Sequence, residues 1–233
     1  MNRISLLLLS VVTIFFLPNK TVSQSVEELA NKAEIEISSG SYTEALETIN
    51  VLTERSLSED QEILFIYWRG LVNSELKNNV EAVRDLSFVI NRHPEFSPGY
   101  ALRANAKAEM NDYIGAVDDL KTANKFEESA INYFNKARFM GLSGQFPLIE
   151  IAENFIRSTE LDPTFGGAHL QAGQALFLVY DVESLNASLN NKDEYSSQLS
   201  ALKRKACLHL SKAGELGIES AYEMIEEKCN MNW

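Results

Sequence analysis

Cys207, His209 and Cys229 are the residues of this 233-residue chain whose types and closeness could do chemistry together. They fall in ACLHLSKAGELGIESAYEMIEEKC, residues 206–229, which holds both cysteines of the chain and one of its three histidines. A tetrahedral zinc site needs four ligands, and two cysteines with no second histidine nearby fall short of that. Cys207 and His209, two apart on a helix, point about 200° apart around its axis, so they do not converge on one ion. A thiolate nucleophile needs a histidine in hydrogen-bond reach and a third group to orient it. Nothing in the sequence brings His93 or His169 to that place: His93 reads as a solvated residue before Pro94, and His169 as a packing residue.

A disulfide fits the stretch better. A turn at Leu216–Ile218 makes the flanking helices antiparallel, with Cys207 about ten residues before its centre and Cys229 about twelve after. At about 1.5 Å per residue the mismatch is about 3 Å, which a small stagger absorbs. The alternative is two free buried thiols. The acidic pairs Asp118-Asp119, Asp193-Glu194 and Glu226-Glu227 read as solvated surface. No G-x-x-x-x-G-K-[ST], H-E-x-x-H or G-x-S-x-G is present, and no strand pattern exists to hold such loops. The chain is therefore expected to need no metal and no cofactor, and to be no enzyme.

The elements that must position these residues follow from a repeat. IYWRGLVNSELKNNVEAVRDL from Ile66 and YALRANAKAEMNDYIGAVDDL from Tyr100 align without gaps. Arg69 and Arg103, Gly70 and Ala104, Ala82 and Ala116, Asp85 and Asp119, and Leu86 and Leu120 all match at a spacing of 34. A fixed period of this size signals a helical solenoid. The order is a large residue, a small one four later, a small one opening the next helix, then leucine. It recurs upstream as Leu29, Ala33, Ala45 and Ile49, and loosens downstream, where Tyr133 and Ala137 repeat the first helix but Pro147 marks a small insertion before Ile151 and Phe155. Small residues let paired helices approach, and large ones fill the space beside them.

On these residues the chain resembles the tetratricopeptide family. The resemblance implies an all-α, right-handed α-α superhelix of about five helical hairpins with a C-terminal capping helix. The units are expected near 26–59, 63–96, 97–130, 131–165 and 166–215, with the cap at 218–233. In the fifth unit DVESLNASLNNKDEYSS replaces the usual turn and reads as a loop or a helix extension. The resemblance further implies a protein or peptide partner held on the concave face formed by the first helix of each unit. Four-residue spacing places Glu34, Tyr67, Leu71, Glu75, Asn105, Glu109, Phe134, Arg138 and Gln174 there, with Tyr67 and Phe134 as expected anchors. Some members grip a free carboxylate with Lys and Asn from successive first helices. This chain has Tyr67 and Leu71 there instead, which argues against binding chaperone C-terminal tails.

The chain opens with Arg3, an apolar run from Ile4 to Leu17, and Thr21-Val22-Ser23 as small residues suited to cleavage. That is the layout of a secretory signal peptide at 1–23, and the 14-residue run is shorter than a membrane span requires. An uncleaved anchor is the competing reading; after cleavage no span remains. Loss of Arg3 and Lys20 takes the formal charge from −12 to −14, a surface that repels nucleic acid and anionic lipid. Export also suits a disulfide. The C-terminal layout resembles that of envelope tetratricopeptide proteins of Gram-negative bacteria, so a periplasmic or secreted binding scaffold is expected. Two other classes stay open: an accessory structural or regulatory subunit of an envelope complex, and an enzyme with a site in the 183–199 insertion.

Overall fold

The computed structural model describes residues 24–189 and 196–229. Among these residues run eleven α-helices: α1 (Val26–Ser38), α2 (Tyr42–Thr53), α3 (Glu59–Glu75), α4 (Asn79–Arg92), α5 (Ser97–Glu109), α6 (Tyr113–Phe126), α7 (Ala130–Ser143), α8 (Leu148–Leu161), α9 (Gly166–Leu189), α10 (Ser196–Glu215) and α11 (Glu219–Met224). A π-helical turn, Ile225–Cys229, follows α11. There is no strand among the described residues. Each helix packs on its neighbours in sequence, so the fold is an all-α solenoid of paired helices. The apolar run of residues 4–17, the pair Asp193-Glu194 and the chain end lie outside the described residues.

Local chemistry sets the helix ends. Ser25 accepts from the Glu28 amide at 3.1 Å while Glu28 accepts from the Ser25 amide at 2.8 Å, and Ser58 with Gln61 repeats this box on α3. The first four hairpins turn through a left-handed residue: Gly40, Lys77, Asn111 and Gly144. Pro147 directly precedes α8, where its missing N–H costs no helical bond.

Close approach inside each hairpin depends on the small residues of the repeat. A Cβ on Gly70 would lie 2.9 Å from Leu86 Cγ, and one on Gly173 would lie 2.8 Å from Leu210 Cδ2 and 3.2 Å from the Ala206 carbonyl oxygen. Gly173→Val is expected to force α9 and α10 apart and to cost about 2 kcal/mol in urea unfolding, whereas Gly141→Val, with open space around it, should leave stability unchanged or slightly raised through helix propensity.

Asp119, which its acidic neighbour Asp118 leads one to expect on the solvated surface, is buried. Arg103 donates to it from Nε at 2.9 Å and Nη2 at 2.7 Å, and the Lys107 ammonium lies 2.8 Å away. The cause is helical: adjacent residues point about 100° apart, so Asp118 faces water while Asp119 faces α5. Arg69 and Asp85 form the same pair 34 residues earlier, at 2.7 and 2.9 Å. In both units the remaining nitrogen, Nη1, reaches back to the preceding hairpin, from Arg69 to Thr53 Oγ1 at 3.4 Å and from Arg103 to Ser87 Oγ at 2.9 Å. Each guanidinium thus joins three helices of two hairpins.

Candidate functional site: the groove along the first helices

The first helices α1, α3, α5, α7 and α9 carry all nine residues expected to face a partner. Asn105 and Glu109 from α5 and Arg138 from α7 line a cleft of about 370 Å³, joined by Tyr113, Asn135 and Leu142. Arg138 and Leu142 also line a second cleft, of about 630 Å³, where Gln174 of α9 meets Gln171, Phe146 and Leu178. The shared side chains make one groove across α5, α7 and α9. Asn135 and Leu142 lie three before and four after Arg138, and Gln171 and Leu178 bear the same relation to Gln174. That helical spacing is the signal by which they can be found.

The other expected residues sit apart from this groove. Tyr67 lines a separate notch of about 260 Å³ with Leu64, His93 and Phe96, and its ring meets Phe96 edge-on at 5.1 Å. Burial raises the Tyr67 phenol pKa. Phe134 packs against Phe155 and Phe165, with centroids 5.5 and 4.8 Å away, and lines neither cleft. Leu71 is half-buried against the α1–α2 cluster. Glu34 and Glu75 are exposed, whereas Glu109, in the lining of the first cleft, also pairs with Lys77 at 3.3 Å.

Arg138 is exposed, with its guanidinium 5.8 and 6.0 Å from the Phe134 and Phe139 ring centres and 3.3 Å from Asn135 Oδ1. Stacking on rings holds the fork in place without consuming its charge. The amides of Asn105, Asn135, Gln171 and Gln174 each offer a donor and an acceptor, which suits the backbone of an extended peptide. Leu142, Phe146 and Leu178 offer apolar contact beside them.

The opening trio resolves as a staple. Cys207 and Cys229 are bonded, with Cα atoms 5.9 Å apart, so neither is a nucleophile or a metal ligand. His209 instead meets His169 across the α9–α10 hairpin, Nδ1 to Nδ1 at 3.2 Å, a pairing that sequence spacing does not reveal. His169 Nε2 lies 3.2 Å from the Pro163 carbonyl oxygen, which only accepts. His169 therefore carries its proton on Nε2, and His209 donates from Nδ1. Two histidines alone do not hold a metal, and no cluster of three or more His, Cys, Asp or Glu suited to one exists among the described residues.

Burial, then the charges of His169 and Lys205, pushes His209 down to about 4, and burial and Lys212 also lower His169. Both folded values lie below the ordinary 6.5, so the folded chain binds fewer protons than the unfolded one. Their contribution to stability is complete above about pH 6.5 and is lost as pH falls toward about 4. Thermal melting is expected to drop between pH 7 and pH 5, before ordinary carboxylates titrate, and the drop should shrink in His209→Gln.

The groove and the stacked hairpins define the class: the chain has the tetratricopeptide-repeat fold. MamA residues 41 to the end, from Desulfovibrio magneticus RS-1, superposes with a TM-score of 0.62 at 17% identity, covering 82% of this chain and 94% of that one. YrrB, described as a TPR protein with an unusual peptide-binding site, gives 0.59 at 18% identity over 87% and 92% of the two chains. TTC0263, a thermophilic TPR protein of Thermus thermophilus, gives 0.54 at 13% identity over 89% and 100%. No protein-family model matches the chain, and no curated protein does.

Proposed function

We propose that this protein is an exported, non-enzymatic scaffold that holds an extended segment of a partner protein in the groove across α5, α7 and α9. The observation that carries the reading is the pair of clefts joined through Arg138 and Leu142. The four amides would pair with the partner's backbone, Arg138 would take an acidic group, and the wider cleft would take an apolar side chain. The YrrB fold, described as that of a peptide-binding TPR protein, supports a peptide ligand. The disulfide and the signal-like opening support an exported, periplasmic or secreted place, and no described helix is long and apolar enough to cross a membrane.

The test is capture of partners from the envelope of the source cell by tagged protein, with mass spectrometry and then affinity measurement on the recovered segment. Arg138→Glu and Leu142→Asp, both at exposed positions, are expected to weaken binding at least about thirtyfold while leaving the circular dichroism spectrum unchanged. Undiminished capture by both variants would place the partner elsewhere.

A further inference from the structure

We infer that the projecting end of α9 is a self-association surface, on which a second copy of this chain lays its own α9 antiparallel. Helices α1 to α8 run 12 to 17 residues, but α9 runs 24 and α10 runs 20. About ten extra residues carry α9 about 15 Å past the stack. One face of this arm packs on α10, burying Val179 and half-burying Tyr180, while Leu202 of α10 packs into the same core. The opposite face is left open by the described residues: Leu178 is 54% exposed, Val182 47%, Leu185 61% and Leu189 73%.

These four side chains recur at steps of four, three and four residues, which is the seam of a two-stranded helix pair rather than scattered surface hydrophobics. Leu178 also lines the wider cleft together with Leu142 and Leu148, so the strip runs unbroken from that cleft out along the arm. The four side chains expose on the order of 400 Å² between them, a sizeable patch for a monomer. Two copies would bury about 800 Å², the size of a weak, reversible pair rather than an obligate one.

The occupant follows from the spacing and the charge. Four, three, four reads the same in both directions, so an antiparallel copy sets Leu178 against Leu189 and Val182 against Leu185, twice over about a two-fold axis. The arm's polar face, Asp181, Glu183, Ser184, Asn186 and Ser188, contains no Lys or Arg, which disfavours an anionic lipid surface. Asp181 is partnered within its own chain by Lys228 at 3.7 Å, and the antiparallel register sets it opposite Ser188 instead of another acid. A chain of formal charge −12 can therefore meet itself here without opposing carboxylates across the seam. Pairing needs no ligand in the groove, although it covers Leu178 at the edge of the wider cleft, so self-association is measured without any groove ligand.

The test is sedimentation equilibrium of residues 24–233, which contain every described element, from micromolar to several hundred micromolar. A monomer–dimer equilibrium is expected. Leu185→Glu and Val182→Lys should each be monomeric at the same concentrations, with unchanged circular dichroism. Mixing the two variants should restore a dimer, because the new acid and base face each other only in the antiparallel register. Ile35→Glu, at an exposed site on α1, should dimerise like the parent. A parent that stays monomeric throughout overturns the inference, as does a dimer indifferent to Leu185→Glu or a mixture that does not reassociate. Sedimentation with neutral or anionic vesicles that is lost in Leu185→Glu, without self-association, assigns the strip to lipid and equally overturns it.

Discussion

Asp119→Ala is expected to destabilise the protein by about 3 kcal/mol, the largest single effect of any substitution considered. The carboxylate is 6% exposed and compensates two cations, the Arg103 guanidinium at 17% and the Lys107 ammonium at 21% side-chain exposure. Taking charges out of water is costly, and attraction to the carboxylate offsets that cost. Removal of Asp119 leaves both cations partly desolvated and facing each other. Arg103 keeps Ser87 Oγ and the face of the Tyr100 ring, but neither carries a formal negative charge. Residual water access to the cations places the cost at the lower end of the usual range for a broken buried pair. Asp118→Ala, next in sequence but exposed, should shift stability by no more than about 0.5 kcal/mol. Urea unfolding of the two variants side by side checks both figures. Equal values for Asp118→Ala and Asp119→Ala would show that the ion pair contributes nothing beyond surface charge.

Opening the Cys207–Cys229 bond is expected to cost about 3 kcal/mol, and to act locally first. The bond joins residues 22 apart, and closing a loop of that size limits the unfolded chain by about that amount. The segment it holds cannot stand alone: α11 has six residues and ends in a single π-helical turn, far below the length at which an isolated helix persists in water. It leans on α9 and α10: Ala221 and Cys229 are buried, Met224 and Ile225 pack on the core, and Tyr222 lies against Gly214. Cys207→Ala with Cys229→Ala should lower the melting temperature. Hydrogen exchange should speed up in α11 and the last turns of α10 and stay unchanged in α1 to α6. Uniform loss of protection along the whole chain would mean that the staple supports global rather than terminal stability.

The hairpins were legible because close helix packing demands small residues at fixed places, and Gly70, Ala104, Ala137 and Gly173 mark them regardless of what surrounds them. The extension of α9 was legible only as one of two alternatives. DVESLNASL holds no Gly or Pro to stop a helix, yet its polar side chains equally suit a loop. The Asp119 pair carried a signal that composition hides: opposite charges sixteen residues apart, repeated 34 residues later as Arg69–Asp85 and Arg103–Asp119. Adjacency of two acids says little, because the helix turns them to different surroundings. The groove was legible to the level of the helix and less so to the side chain. Arg138, Asn105 and Gln174 line it, while Phe134 packs against Phe155 and Phe165, since the tilt of neighbouring helices decides which residue of a face is covered. The His169–His209 contact depends on how the long α9–α10 hairpin crosses, which no local spacing encodes.

The guanidinium braces also bear on how the array deforms. In a linear chain of units, contacts within a unit set its intrinsic stability, and contacts between units set nearest-neighbour coupling. Arg69 and Arg103 add to both, and so bind the first three hairpins into one stiff block. The linker between α6 and α7 is crossed differently, by Arg157 to Glu128 at 2.7 Å, a pair with 40% and 45% side-chain exposure that water and salt screen. The polar coupling at the α6–α7 boundary, which runs through the middle of the groove, should therefore weaken with salt, while the apolar cluster that continues from α5 to α10 keeps the two sides packed. The spacing between Asn105 and Arg138 thus rests on apolar contact, and the screened pair is its only part that ionic strength adjusts.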